Sequence, residues 1–168
     1  LVAEMHHCSI SGALVAATAQ TMYDAMFENL RLLETLKPYD FLFPLWNVHP
    51  HWSCDFPEPP ELTRLLQQHG VRAVTIHPST NGWQLASKCN KPMLDELERT
   101  RTPVVVEFSE VDVRDFEAVL DRHPKLPFIL HRFTWSQGHA VEPLFRNYTN
   151  LHIGFDFFQS NYAVEKHV

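Results

Sequence analysis

The stretch Val104-Val-Val-Glu107 is one of four apolar runs in this chain that end on an ionisable side chain. The others are Val74-Thr-Ile-His77, Phe128-Ile-Leu-His131 and Ile153-Gly-Phe-Asp156. Buried strands that stop at a single His, Glu or Asp are typical of an α/β barrel, whose strands deliver their last side chains into one shared opening. Because imidazoles and carboxylates would converge there from several strands, the pattern favours metal-assisted or general acid/base chemistry.

Strands and amphipathic helices alternate outward from these runs along the whole chain. Six strands are predicted to start near residues 13, 41, 73, 103, 127 and 151, so that one strand–helix unit repeats every 24 to 32 residues. Near-continuous apolar strands separated by amphipathic helices indicate a parallel sheet. The helices between them are predicted over residues 1–8, 21–36, 61–69, 92–101, 112–122 and 141–146.

The helix predicted over residues 21–36 has the longest apolar stripe in the chain. Its apolar side chains recur at the spacing i, i+4, i+8, which predicts one face that packs on the sheet. The members of this stripe are Met22, Met26, Phe27, Leu30, Leu33 and Leu36.

Composition limits the class of protein. With 168 residues, 45 % of them hydrophobic and 20 % charged, residues 1–168 are expected to form a single soluble domain. The net charge of −6 and the absence of a Lys/Arg cluster argue against nucleic-acid binding and favour a small neutral or cationic partner. No apolar run approaches the roughly 20 residues of a membrane span, and no signal-peptide pattern opens the chain, so a cytoplasmic protein is expected.

The order and spacing of the segments resemble the middle of the amidohydrolase-related TIM-barrel family, which includes metal-dependent hydrolases and the aminocarboxymuconate-semialdehyde decarboxylase type. Six units are too few to close an eight-stranded barrel, which takes ~250 residues. The resemblance therefore implies a partial (β/α)8 TIM barrel that runs from the family's first helix to its seventh strand. The segments that carry it are residues 1–5, 12–15, 71–78, 93–97, 102–107, 123–131 and 150–156.

The same resemblance implies a metal site of which this chain holds only part. The family's first strand, with a His-x-His pair, and its eighth strand, with a ligand Asp, have no counterpart here. Glu107 stands where the family usually has a metal-ligand His, and His131 stands where it has a ligand or general acid/base. No Lys matches the bridging ligand of binuclear relatives, since Ile76-His77 occupies that position. A mononuclear site with a divalent metal, expected to be zinc, is implied.

Glu107 and His131 are therefore the predicted metal-binding and catalytic residues. An unpaired buried carboxylate is costly, so Glu107 is expected to act as a metal ligand, as a general base or as the partner of Arg132. His131 could instead be a strand-end imidazole that the backbone satisfies, and His77 could only cap its strand. The predicted substrate-binding residues are His77, Arg132, Trp135 and Asp156.

Two further patterns remain open. Imidazoles one residue apart, as in His49-Pro-His51, suit bidentate capture of zinc, but this segment follows a later strand and is expected to be a loop. Tryptophans in or beside loops after strands either bind a planar substrate or cover the barrel rim. These are Trp46, Trp52, Trp83 and Trp135.

The expected function of the full-length form is that of a metal-dependent hydrolase acting on a small organic substrate. The metal would lower the pKa of a bound water, and His131 or Glu107 would move the proton. A non-oxidative decarboxylase on the same scaffold is the alternative, and a barrel that has lost its metal and acts as a binding or structural protein is another. The chain alone is expected to be inactive, unless it completes its barrel as a homo-oligomer. Rossmann-type and serine-hydrolase functions are disfavoured, because neither glycine motif occurs.

Overall fold

The structure, a computed structural model, describes residues 2–154, except for the side chain of Trp135. Six parallel strands pair in chain order to form one curled sheet, a half-barrel. They are β1 (Ala13–Val15), β2 (Leu42–Asn47), β3 (Ala73–Ile76), β4 (Val104–Glu107), β5 (Phe128–His131) and β6 (Leu151–Ile153). The helices are α1 (Val2–His7), α2 (Ala25–Leu36), α3 (Pro59–Gln68), α4 (Lys91–Arg99), α5 (Val113–Arg122) and α6 (Gly138–Asn147).

The predicted α/β class and the partial TIM barrel are confirmed. Each helix between two strands returns the chain to the start of the next parallel strand, which explains why the strand order follows the sequence. None of the helices within residues 2–154 is long and apolar enough to cross a lipid bilayer.

Local signals in the sequence set several helix boundaries. The side chain of Asp24 accepts a hydrogen bond from the backbone N–H of Phe27 (2.9 Å), and that of Asp112 accepts one from Arg114 (2.9 Å). These caps satisfy N–H groups that have no partner inside the helix. Gly70 follows α3 with a φ of +65°, the left-handed conformation in which glycine ends a helix without strain.

The main core lies between the sheet and the helices. Val104, Val106 and Phe128 are fully buried, and the ring of Phe128 meets that of Phe116 in α5 edge-to-face at 5.2 Å. Successive strand residues point to opposite faces, and the alternate residues Val105 and Ile129 are only half-buried. The helices therefore cover one face of the sheet, and the concave face, with the last residues of β4 and β5, is open.

Helix α2 corrects the predicted apolar stripe. The helix begins at Ala25, after a short 3-10 turn at Thr18–Thr21, and only part of the predicted stripe packs on the core: Leu36 is buried, and Met26 and Leu33 are partly buried against it. Met22 (72 %), Phe27 (63 %) and Leu30 (41 %) are exposed. The side chains that it buries are Ala25, Glu28, Asn29, Leu32 and Leu36.

Hydrogen bonds from Asn29 to the end of β2 explain which face of α2 is buried. The Asn29 side-chain oxygen accepts from the backbone N–H of Asn47 (3.1 Å) and from Nε2 of Gln20 (2.7 Å), while its Nδ2 donates to the Asn47 carbonyl (2.9 Å). Burying an amide with its hydrogen bonds made costs little, whereas leaving these backbone groups unpaired would be expensive. Apolar periodicity cannot detect such a contact.

We predict that Leu32→Ala lowers the free energy of unfolding by about 2 to 4 kcal/mol, because Leu32 is 5 % exposed and its removal leaves a cavity. The matched control Phe27→Ala, on the exposed face of the same helix, should change it by less than about 0.5 kcal/mol. Urea denaturation monitored by circular dichroism measures both values. A larger loss in the Phe27 variant would favour the face predicted from the apolar stripe.

Candidate functional site

Strand register brings three of the predicted residues into one row on the concave face. Glu107 pairs directly with His131 across β4 and β5. Thr75 pairs with Val105 across β3 and β4, and His77 and Glu107 each follow two residues later. Glu107 and His131 therefore lie side by side at the carboxyl ends of their strands, and His77 directly follows β3 at the same edge of the sheet. We call these three residues the strand-end row.

Glu107 has two hydrogen-bonding partners in the row's surroundings. Arg132 Nη1 donates to its Oε2 at 3.1 Å, and Ser109 Oγ donates to its Oε1 at 2.7 Å. Burial raises the pKa of Glu107, but the Ser109 hydrogen bond and the charges of Arg132 and His131 outweigh it, so that the pKa lies below its ordinary value. Of the three alternatives for Glu107, the pairing with Arg132 is thus observed. Arg132 itself is in the left-handed conformation, with a φ of +56°.

Gly154, which follows β6, makes room for His131. A Cβ atom on Gly154 would lie 2.7 Å from Cβ of His131 and 3.6 Å from Cγ2 of Ile129. Its N–H donates to the carbonyl of Leu130 at 2.9 Å, which holds the two backbones together. A side chain at this position would therefore displace His131 from the row. Sequence analysis did not indicate this role for Gly154.

His77 is held by groups on both sides of its ring. Its Nε2 lies 3.4 Å from Oγ1 of Thr75, and its Nδ1 lies 3.6 Å from Oε1 of Glu110. Glu110 also accepts hydrogen bonds from the backbone and the hydroxyl of Thr80. The loop after β4 thus contacts the loop after β3 around the His77 imidazole. The role of His77 in substrate binding remains a prediction.

Sequence reasoning missed a buried polar network at the end of β2, the neighbouring strand. Asn47, fully buried, pairs with Thr75 in the register, and its Nδ2 lies 3.1 Å from Nε2 of His49. The same Nδ2 donates to the carbonyl of Gln20 at 2.8 Å. Burial lowers the pKa of His49, with a further lowering by His77 and opposing contributions from Asp55 and Asp24. The available signal was that β2, like β4 and β5, ends on a polar side chain.

The remaining predicted residues lie around the row or outside the described part. Arg132 directly follows β5 and pairs with Glu107. Trp135 begins a 3-10 turn, Trp135–Gln137, after β5, and Asp156 lies outside the described residues. In the His49-Pro-His51 segment the two imidazoles have separate partners: His49 contacts Asn47, and His51 Nε2 lies 3.3 Å from Oε2 of Glu58.

Another cluster of potential metal ligands lies in the helical layer. Within residues 2–154, the one group of three ligand side chains with all its ligand atoms within 4.8 Å of one another is Asp95, Glu98 and His123. Nδ1 of the fully buried His123 lies 3.3 Å from Glu98 and 3.6 Å from Asp95, and the N–H of Lys125 donates to Glu98 at 2.8 Å. These contacts join α4 to the segment before β5, away from the strand-end row. In the row, Glu107 and His131 are the neighbouring pair suited to a metal ion.

Comparison with known proteins identifies the family of this chain. A model of the family described as amidohydrolase matches residues 5–155. The chain belongs to the amidohydrolase family. No curated protein sequence matches it.

Solved structures support the same fold at low sequence identity. An uncharacterized TIM-barrel protein from Bordetella bronchiseptica is 16 % identical and has a TM-score of 0.65, with coverage of 90 % of this chain and 57 % of that one. The 5-carboxyvanillate decarboxylase LigW from Sphingomonas paucimobilis is 14 % identical and has a TM-score of 0.58, and the match covers 86 % of this chain and 52 % of LigW. The 5-carboxyvanillate decarboxylase from Novosphingobium aromaticivorans, whose structure contains manganese, is 16 % identical, with a TM-score of 0.60 and coverage of 95 % and 58 %. The chain thus spans just over half the length of these structures.

We predict that Gly154→Ala lowers the free energy of unfolding by about 1 to 3 kcal/mol, because the new methyl group overlaps Cβ of His131. The His131 ring resonances in a ¹H–¹⁵N NMR spectrum should shift as well. Gly138→Ala is the control, since a Cβ there meets nothing within 4 Å; it should leave the His131 resonances in place and should not lower the free energy of unfolding, because alanine is favoured over glycine in a helix. Equal behaviour of the two variants would contradict the close packing at Gly154.

We also predict that Arg132→Gln raises the pKa of Glu107, because it removes one charge that lowers this pKa and leaves the Ser109 hydrogen bond. A carboxyl group with a lowered pKa stabilises the fold above its unfolded pKa, and this contribution disappears as the pH falls through the folded pKa. In the variant the contribution should be smaller and disappear at higher pH.

Titration of the carboxyl carbons by ¹³C NMR measures the change. Arg99→Gln is the matched control, because Arg99 donates to Glu96 and lowers the pKa of that carboxyl group. It should raise the pKa of Glu96 and leave Glu107 unaffected. An unchanged Glu107 titration in Arg132→Gln would mean that the ion pair does not form in solution.

Proposed function

We propose that this chain forms the central part of a metal-dependent hydrolase of the amidohydrolase family that acts on a small organic substrate. The observation that carries the proposal is the in-register pair of Glu107 and His131 at the carboxyl ends of adjacent barrel strands. In a barrel of this type, catalytic groups come from the ends of several strands, whereas side chains at the opposite end serve stability. Family membership adds the expectation of a metal-assisted reaction.

The donor chemistry of the pair fits a divalent cation. A carboxylate and an imidazole together suit zinc or manganese, and both groups bind a metal only in their deprotonated forms. The contacts of Ser109 and Arg132 lower the pKa of Glu107 and so maintain its carboxylate. When bound, such a cation supplies Lewis-acid chemistry and makes a water molecule more acidic. Glu107 and His131 would hold the cation, with other ligands from outside the described residues.

The chain's own residues then have distinct roles. His131 serves in one of two ways: as a ligand of the cation or, where other ligands fill the coordination sphere, as the group that moves a proton to or from the substrate. Arg132 lies beside Glu107 and offers a guanidinium to an anionic substrate group. His77, Trp135 and Asp156 are proposed to complete the contacts to the substrate, His77 through the strand-end row that it shares with Glu107.

Decarboxylation is the second candidate for the same site. It is favoured by the structural likeness to two 5-carboxyvanillate decarboxylases, one with bound manganese. A carboxylated phenol presents an anion that Arg132 could bind, and proton delivery by His131 would complete the exchange of carbon dioxide for a proton. In this reaction the C–C bond to the carboxyl group breaks, its electron pair stays on the ring, and the ring carbon takes up the proton.

Metal analysis of the protein in its full natural length, purified without chelator, tests the proposal first. We expect about one manganese or zinc ion per chain in the wild type. Glu107→Gln and His131→Gln should each reduce retention by about ten-fold or more, and the exposed α3 variant Glu61→Gln should not. A wild type without a bound ion, and without uptake on dialysis against Mn²⁺ or Zn²⁺, would favour a binding or structural protein.

Activity assays then separate the two reactions. Release of carbon dioxide from 5-carboxyvanillate would identify a decarboxylase, and cleavage of lactones or amides with uptake of water would identify a hydrolase. With Mn²⁺ or Zn²⁺ added to saturation, so that loss of metal does not account for the change, we expect His131→Gln to lower kcat by about 10² to 10⁴-fold, the usual contribution of a general acid or base. A kcat within a factor of about two of the wild type would remove His131 from proton transfer.

A further inference from the structure

A second recess opens beside the strand-end row. It is a cleft of about 490 Å³ between the loops that follow β2 and β3. His49 lies between the cleft and the strand-end row. The N–H of Val48, the residue before it, donates to the carbonyl of Thr75 at 3.0 Å, and Thr75 lies two residues before His77. The side chains that matter for its chemistry are His49, Trp52, Asp55, Asn81, Trp83 and Asn90.

The orientation of Asn47 determines the tautomer of His49. Nδ2 of Asn47 lies 2.8 Å from the carbonyl oxygen of Gln20, which can only accept, so the amide nitrogen must face that way. The second hydrogen of Nδ2 faces Nε2 of His49 at 3.1 Å. Since Nδ2 can only donate, Nε2 accepts, and the neutral ring carries its hydrogen on Nδ1. Burial lowers the pKa of His49 and favours this neutral form.

The network behind His49 is buried and hydrogen-bonded. Gln20, Asn29 and Asn47 are at most 1 % exposed, and hydrogen bonds connect all three to one another or to backbone. The imidazole also stacks on the ring of Phe56, with centroids 5.5 Å apart and an interplanar angle of 19°. His49 is thus oriented before any ligand arrives, which lowers the entropic cost of binding.

Two tryptophans supply flat apolar surface to the cleft. Trp52 is 59 % exposed, yet its indole N–H donates to the buried Asn90 side chain at 3.3 Å, which in turn donates to the carbonyl of Gln84 at 2.7 Å. Trp83 Nε1 and Asn81 Oδ1 are buried and have no hydrogen-bonding partner within the described residues. Buried polar atoms without partners are rare and are frequently satisfied by a ligand or by water.

The charge around the cleft disfavours an anionic ligand. Asp55 is the one acidic side chain among the described residues that line it, and no Lys or Arg lines it there. An anionic group would be repelled by the Asp55 carboxylate and would find no opposite charge to pair with. The cleft therefore differs from the row, where Arg132 provides a cation.

We propose that this cleft is a substrate subsite for the uncharged, planar aromatic end of a small molecule, stacked on Trp52 or Trp83 and hydrogen-bonded by Nδ1–H of His49. Asn47 is a positioning residue that acts through His49. The inference rests on the proposed function in one respect: the other end of the bound molecule would lie over the strand-end row and react there. Binding of the aromatic ring itself requires neither metal nor catalysis.

NMR titration with benzamide tests the subsite. Benzamide is planar and uncharged, cyclohexanecarboxamide has the same amide without a flat ring, and benzoate has the ring with a negative charge. We expect benzamide to shift the indole signals of Trp52 and Trp83 and the ring signals of His49, and to bind about ten-fold more tightly than either other probe. Equal affinities, or shifts confined to other residues, would overturn the proposal.

Variants test the role of His49. His49→Phe keeps a flat ring and removes the donor, so it should weaken benzamide binding by about five-fold or more, whereas His6→Phe on α1 should not. Long-range ¹H–¹⁵N spectra should show the Nδ1–H tautomer of His49 in the wild type. Asn47→Asp replaces the donor with an acceptor and should switch the ring to Nε2–H or protonate it. An Nε2–H tautomer in the wild type, or full binding by His49→Phe, would sink the assignment.

The outcomes separate this inference from the proposed function. Loss of metal retention in Glu107→Gln with unchanged benzamide binding would support both. A protein that binds benzamide in this cleft but retains no metal would keep the subsite and refute the metal-dependent reaction. A protein that retains metal but does not bind benzamide would support the metal-dependent reaction and refute the subsite.

Discussion

The positions of Glu107 and His131 depend on the register of the parallel strands. Pairing of Glu107 with His131 directs both side chains to the concave face, while Val106 and Leu130 point into the core. A shift of one residue would exchange these faces, burying a carboxylate among apolar side chains and exposing valine. The large cost of that exchange fixes the register. Core packing and the arrangement of the site are therefore two consequences of one alternation.

A second constraint comes from polar groups that the fold must bury. At the end of β2, Asn47 is fully buried and makes hydrogen bonds with Gln20 and Asn29. This network fixes which face of α2 lies against β2 and also orients His49 beside the strand-end row. One set of amide contacts thus influences both the packing of a helix and the chemistry of the adjoining cleft, so changes to Asn29 would be felt at both places.

The same residue types have different consequences in different places. In the helical layer, Asp95, Glu98 and His123 lie close together, and their contacts join α4 to the segment that leads into β5. In the strand-end row, Glu107 and His131 lie on an open concave face, where a substrate can reach them. Of these two groups, only Glu107 and His131 lie at the carboxyl end of the sheet, the end at which barrel enzymes carry out their chemistry.

The sequence by itself determined the α/β class, the six strands and the positions of Glu107 and His131, because an apolar run that ends on an ionisable residue is a local property. It did not determine the packed face of α2, the tautomer of His49 or the need for Gly154 beside His131. Each of these depends on contacts between segments far apart in the chain, such as Asn29 with Asn47. Only the tertiary structure brings such partners together, because it decides which polar groups are buried and which must therefore find one another.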